Sequence, residues 1–308
     1  MLPSFYQTFL EKYLNRQVKA GSQLIVAMDR TQWKENNVLM VSVIHQKRAW
    51  PIYWCMLEKE GSSNLQEQQK VLKPVIRLLK KYKIVVIGDR EFHSVELAKW
   101  LHRQKISFVF RQKQNTTFRE KRQKFMPLGE IPIYPGIRRF YPNVQLTQKP
   151  GFGRFNLAVY WKRKYRGKQE DEAWYLLTNL PDLETAVKIY GNRFGIEAMF
   201  KDCKTGGYNL EGSKANTDRL VRLIFLIALA MTSAWLHGQR TKLQRIQPYV
   251  SRLGKPTQSP TLRWVFQCFQ AVHLVLVSDT KIISNLTQQR KFILQFLGAA
   301  CQKYYLLC

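Results

Sequence analysis

Apolar and polar positions along the first third of the chain predict a regular run of strands and helices. The first 20 residues read as one short helix, with Leu10 and Tyr13 on a common side. QLIVAMD then runs apolar into Asp29, which ends a first strand, and the polar Arg30–Asn37 reads as a loop. NVLMVSVIH and PIYWCMLE are β-rich, and the short basic link Gln46–Ala49 between them predicts antiparallel pairing. Gly61-Ser62-Ser63-Asn64 is a turn and helix-start signal. From there LQEQQKVLKPVIRLLKK sets Val71, Val75, Leu78 and Leu79 on one helical face. Pro74 sits early in that helix or kinks it. KIVVIGD makes a fourth strand that ends at Asp89, followed by a helix over SVELAKWLHRQ and a strand over SFVFRQ. This order predicts a mixed α/β sheet, a meander first and crossovers after it.

Beyond residue 110 the pattern changes. Short alternating runs, FNLAVYW and WYLLTNL, lie among prolines, and Arg111–Glu170 holds 15 Lys/Arg against Glu120, Glu130 and Glu170. This is a basic, β-rich insertion. After Pro181, Asp182 is a cap candidate and Glu184 sits in the favourable first turn. One helix is expected through LETAVKIYGNRFGIEAMFKDCK to a stop at Gly206-Gly207. Leu223–Leu236 is the most apolar stretch. It is shorter than the roughly 20 residues that span a bilayer, so it reads as a buried helix. The expected divisions are 1–20, a core from 21–110 and 181–237, an insertion at 111–180, and a basic helical region at 238–308.

Charge adds a partner to this picture. The 308 residues carry 50 Lys+Arg against 21 Asp+Glu, a formal net charge of +29. Such an excess points to a polyanion. Nucleic acid is favoured over a membrane surface, because no basic amphipathic anchor stands out. The five cysteines include no CxxC pair, which fits a reducing compartment. The N-terminus lacks a signal-peptide apolar core, so a cytoplasmic location is expected.

The candidate chemistry begins with two acids. If the strands ending at Asp29 and Asp89 are parallel neighbours, about 4.8 Å apart, their carboxylates stand side by side. Two carboxylates that close stay ionised only with a cation between them, and hard oxygen ligands select Mg²⁺ or Mn²⁺. The plain alternative is that each Asp merely terminates a strand. The helix after Pro181 adds to the set. Tyr190, Arg193, Glu197 and Lys204 fall within about 60° of arc at about 100° per residue, and Lys201 lies near the same stripe. A solvated face with an incidental Arg193–Glu197 pair is one reading. The other makes Glu197 a third metal-binding carboxylate, with Arg193 and Lys204 binding phosphate and Tyr190 touching phosphate or base.

With Asp29 in AMDRTQW, Asp89 in IGDREF and Tyr190-x₂-Arg193-x₃-Glu197-x₆-Lys204, the chain resembles the DDE transposases of bacterial insertion sequences. The last motif matches the Y-(2)-R-(3)-E-(6)-K signature of insertion-sequence family four. The resemblance covers about residues 21–237. It implies an RNase H-like fold that cuts donor DNA at element ends and joins the 3′-hydroxyls to target DNA, through a hairpin end and with Mg²⁺, for which Mn²⁺ substitutes. It implies Asp29, Asp89 and Glu197 as catalytic, metal-binding acids. Tyr190, Arg193, Lys204 and Lys201 would contact double-stranded DNA, as would Arg111 in FVFRQK. Relatives hold a flipped base on an insertion-domain Trp, for which Trp161 is the candidate here, Trp174 being expected to pack as core. Relatives also assemble as dimers on paired ends.

Only 28 residues precede Asp29, where family members carry a DNA-binding domain, so the first helix is expected to be a stub of it. Two alternatives remain: a folded, inactive DNA-binding remnant, and an RNase H-like nuclease that hydrolyses without joining. Glu91 in DREF either lies near the metals or, the favoured reading, is an exposed helix-start acid. Arg30 and Arg90 either touch DNA or pair with a neighbouring acid.

Overall fold

The computed structural model describes residues 4–33, 35–121, 123–148, 153–163, 172–204, 208 and 210–243. Helix α1 (Ser4–Gln17) leads into a meander of β1 (Gln23–Trp33), β2 (Asn36–His45) and β3 (Arg48–Leu57). All three pair antiparallel. The β2–β3 link is a two-residue turn in which Gln46 and Lys47 both have positive φ, 49° and 64°, the backbone sign that matches the twist of a tight hairpin. Arg30–Asn37 is therefore not a loop. β1 runs on to Trp33 and β2 starts at Asn36, because the polar side chains there find long-range partners that local pattern does not reveal.

Helix α2 (Leu65–Leu78) starts where the turn signal places it. Asn64 accepts from the Glu67 N–H at 2.9 Å, and Glu67 accepts from the Asn64 N–H at 2.7 Å. Both bonds satisfy backbone donors that a helix start leaves open. Replacing Asn64 with Ala is expected to cost about 1 kcal/mol, seen as a lower urea midpoint; an unchanged midpoint would count against the cap. Pro74 lies inside α2 without ending it.

Strand β4 (Lys83–Gly88), helix α3 (Val95–Arg103) and β5 (Ser107–Arg111) follow. β4 pairs parallel with β1 on one side and with β5 on the other. This β3-β2-β1-β4-β5 order, antiparallel then parallel and flanked by helices, is the expected RNase H-like core. β2 is buried at every position from Asn37 to Ile44. Successive strand residues face opposite ways, so both faces of the sheet are covered here.

The basic segment forms β6 (Thr117–Arg119), β7 (Met126–Pro127), β8 (Arg138–Leu146), β9 (Phe155–Tyr160) and β10 (Trp174–Thr178). It does not stand apart from the sheet. β10 pairs antiparallel with β5, and β9 and β8 continue outward to give a ten-stranded order. Thr178 seals the junction by donating its hydroxyl to the Phe108 carbonyl at 2.6 Å.

Helix α4 (Leu183–Tyr190) is capped by Asp182, which accepts from the Thr185 N–H at 2.8 Å. Helix α5 (Phe194–Lys204) packs on the meander: Phe200 meets Trp33 edge to face, and Met199 lies at Ser42. Helix α1 is built into the same core. The Tyr6 hydroxyl donates to the Pro51 carbonyl at 2.6 Å, and Tyr13 packs on Trp50.

The chain divides into two compact units, Met1–Ala228 and Leu229–Cys308. The elements above belong to the first, together with the start of helix α6 (Thr217–Leu243), where Leu220 and Ile224 are buried. Of the second unit, residues 229–243 are described, and they are helical. Most of the expected helical region at 238–308 lies outside the described residues, as do Gly206 and Gly207. Among the described residues, no helix is long and apolar enough to cross a membrane.

Candidate active site

Parallel pairing of β1 with β4 ends at Met28 opposite Gly88. The next residue on each strand is an aspartate, so Asp29 and Asp89 leave the paired segment side by side. Asp29 does not end its strand, however. It stays paired with Met40 of β2, because β1 keeps its antiparallel neighbour after losing the parallel one. Asp89 caps a 3₁₀ turn over Arg90–Phe92, accepting from the Glu91 N–H at 2.8 Å. That turn folds Phe92 back onto the end of β4, and a Cβ at Gly88 would lie 2.8 Å from the Phe92 Cβ. Glycine is the residue that fits there.

The third acid arrives on α5. The helical segment expected in one piece is interrupted by a 3₁₀ turn at Gly191–Arg193 between α4 and α5. Gly195 lets α5 lie close on the β2–β3 hairpin, where a Cβ would stand 3.2 Å from the Lys47 carbonyl oxygen. Arg193 then reaches inward. Its guanidinium lies 3.5 Å from Asp29 Oδ2 and donates to Glu197. Its centre is also 5.8 Å from the ring centroid of Tyr190.

Charge dominates this cluster. The Asp29 carboxyl is raised to about 7, first by burial and then by the Asp89 carboxylate, with Glu197 adding to it. Arg193 and the Arg30 N–H oppose the rise. Burial works against the charge of Arg193, yet Tyr190, Glu197, Asp29 and Asp89 together hold its pKa above the ordinary value. Asp29 and Asp89, distant in the chain from Arg193 and Glu197, thus share one electrostatic setting with them.

The donor chemistry of the Asp29–Asp89 pair, a buried carboxylate beside a half-buried one, is oxygen-only and fits a hard divalent cation. Glu197 does not complete a three-acid set as placed, because its carboxylate is held by Arg193. Among the described residues, no three of His, Cys, Asp and Glu lie close enough to hold one ion together.

The remaining site candidates fall in three settings. Lys201 is exposed and Lys204 half-buried on α5. Tyr190 is buried, 2% exposed, beneath Trp174, whose ring meets it edge to face at 4.9 Å. Arg111 pairs with Glu172 at 3.0 Å, and Arg90 reaches the same carboxylate at 3.0 Å. Trp161 follows β9 with its backbone bonded to Gly136 and Ile137. Trp174 is not core. It lines a cleft of about 260 Å³ together with Tyr160, Lys162, Glu172, Lys188 and Phe194. Its place at the start of β10, opposite Tyr160, leaves its ring at the sheet's margin.

Three residues escaped sequence reasoning. Glu172 joins two arginines, and no spacing signals it. Glu91 is largely buried against Arg30 rather than exposed. Trp174 carries the right composition, but only the pairing of β10 with β9 shows which side it faces.

Fold and acid arrangement together define the class: an RNase H-like α/β core with carboxylates gathered where its parallel strands end. The chain belongs to the transposase DDE domain family, whose model matches residues 54–233 and so includes Asp89 and Glu197. No curated protein sequence matches it. Among solved structures, the piggyBac transposase synaptic complex with hairpin DNA is similar at 14% identity and a TM-score of 0.44, covering 92% of this chain. The chain spans 60% of that protein's length. Endonuclease V from Bacillus subtilis is similar at 13% identity and a TM-score of 0.28, over 62% of this chain and 83% of that one. The Argonaute of Marinitoga piezophila, solved with guide RNA and target DNA, gives 9% identity and a TM-score of 0.28 over 62% and 31%.

Proposed function

We propose that this chain is a transposase of the insertion-sequence family four kind, cutting DNA at element ends and joining the freed 3′-hydroxyls to target DNA. The observation that carries the reading is that Asp29 and Asp89 follow the end of one parallel strand pairing, with Arg193 reaching from Glu197 to Asp29. Asp29 and Asp89 would hold Mg²⁺ or Mn²⁺, and Glu197 would join them once Arg193 lets it go. An ion held by these carboxylates would supply charge stabilisation for phosphodiester displacement. Arg193, released toward phosphate, would fork onto its oxygens, while exposed Lys201 and half-buried Lys204 supply charge along the same helix. Arg111, freed from Glu172, would do the same at the end of β5. Tyr190 would act through Trp174 and Arg193, since its own ring is covered. Trp161 and Trp174 are the two candidates to stack on an unpaired base. Paired ends would be held by a homodimer in the cytoplasm.

The test is metal-dependent nicking of supercoiled plasmid. Mg²⁺ or Mn²⁺ should support nicking that Asp89→Asn and Glu197→Gln reduce by at least about a thousandfold, the scale of losing a main charge-stabilising group. DNA binding should persist in both variants and weaken steeply with salt. Nicking by both variants at the wild-type rate would overturn the reading. The Arg193–Glu197 bond favours a second reading, a folded DNA-binding chain without turnover. Salt-sensitive binding with no metal-dependent nicking in the wild type would select it.

A further inference from the structure

We propose that Arg30 and Glu91 are positioning residues that set the separation of Asp29 and Asp89 before any cation arrives; this rests on those two acids being the metal-binding pair. Each residue follows its aspartate closely in the chain. The Arg30 N–H donates to Asp29 Oδ1 at 2.8 Å, and the Glu91 N–H donates to Asp89 Oδ1 at 2.8 Å. The two side chains then meet, Arg30 Nε to Glu91 Oε2 at 2.7 Å. The result is a closed ring: carboxylate, backbone, ion pair, backbone, carboxylate. It joins the two strands at the point where their ladder stops.

The ion pair is itself anchored. Glu91 Oε1 accepts from both the N–H and the hydroxyl of Ser63, at 2.9 and 2.8 Å. Arg30 also donates to Asn37 Oδ1 at 3.1 Å, and Asn37 donates to the carbonyls of Lys59 and Gly61. The side chains of Arg30 and Glu91 are 21% and 11% exposed, so water competes weakly for them. Both carboxylate oxygens of Glu91, and Nε and Nη1 of Arg30, are committed within this network. The physical need is plain. The Asp89 carboxylate acts against ionisation of buried Asp29, so two neighbouring carboxyls need fixed partners to hold their places before a cation arrives. Outer partners of this kind typically govern metal affinity by about 10- to 100-fold.

The experiment measures Mn²⁺ binding to the full chain, without DNA, by the loss of the free-ion electron paramagnetic resonance signal. It compares wild type, Glu91→Gln, Arg30→Gln and the double variant, with urea melts alongside. Leu146→Ala, buried at 2% in β8, serves as a destabilised control. The proposal expects each single variant to bind Mn²⁺ about tenfold more weakly, the double variant to lose little more, and the control to keep wild-type affinity. In a nicking assay kcat should fall while KM for DNA holds. Glu91→Gln binding within twofold of wild type would overturn the brace and leave the metal site standing. Equal loss in Leu146→Ala would reduce the effect to stability and overturn it as well. If wild type binds no Mn²⁺ that Asp29→Asn and Asp89→Asn abolish, the metal-site reading fails and the brace goes with it.

Discussion

Asp29→Asn is expected to cut no DNA and yet to resist urea better than the wild type at pH 8. The two effects share one cause. Burial and the neighbouring Asp89 raise the Asp29 carboxyl from 3.8 to about 7. The folded chain therefore holds a proton there that the unfolded chain releases above pH 4. By linkage, this group's stabilising share is fully present below about pH 4 and is lost as pH climbs through 7. A shift of about three units corresponds to roughly 4 kcal/mol. This is a net figure, since the attraction of Arg193 already opposes the rise. Asparagine keeps an oxygen for the Arg30 N–H and carries no charge to bury. The stability gap between variant and wild type should thus widen from pH 4 to pH 7 and then level off. Urea midpoints across that range decide the matter: a gap that does not change with pH would mean Asp29 is not strained by its surroundings.

Gly88→Ala should damage both fold and activity through one added methyl group. The new Cβ would sit 2.8 Å from the Phe92 Cβ and 2.9 Å from its Cδ2. Phe92 is fully buried, and its Cβ is tied to the backbone, so no flexible tip can swing away. The 3₁₀ turn itself must shift. Overpacking of this kind costs about 1 to 3 kcal/mol. Asp89 caps that turn and Glu91 lies within it, so displacement of the turn moves the proposed metal-binding acid and its proposed brace together. A misplacement of about 1 Å can cost a hundredfold in rate. The variant should therefore nick at least about a hundredfold more slowly, with a lower urea midpoint. Wild-type values for both would show that the turn has room to spare.

Much of the core was legible because its signals are local. Alternation and β-branched runs located β1 to β5, the Asn64 cap located α2, and the order of elements made β1 and β4 parallel neighbours. The acids were legible as residues standing at one end of that pair. What was not legible depended on partners distant in the chain. β1 continues past Asp29 because β2 still pairs with it and Arg30 finds Glu91, a residue 61 positions away. Helical spacing put Arg193 and Glu197 on one stripe, but it could not say that Asp29 would face them. Nor did it foresee the 3₁₀ turn at Gly191–Arg193, where the Asn192 side chain donates to the carbonyls of Lys188 and Ile189.

By itself, the amino-acid sequence determined most of the strands and helices of the core and the two acids at the end of one parallel strand pair, since period, caps and turns act over a few residues. Only the tertiary structure decided how those acids are held. The Arg193–Asp29 pair, the Arg30–Glu91 pair, and Glu172 between two arginines are contacts across the fold. Charges select partners by distance in space, and along the chain these residues carry no mark of one another.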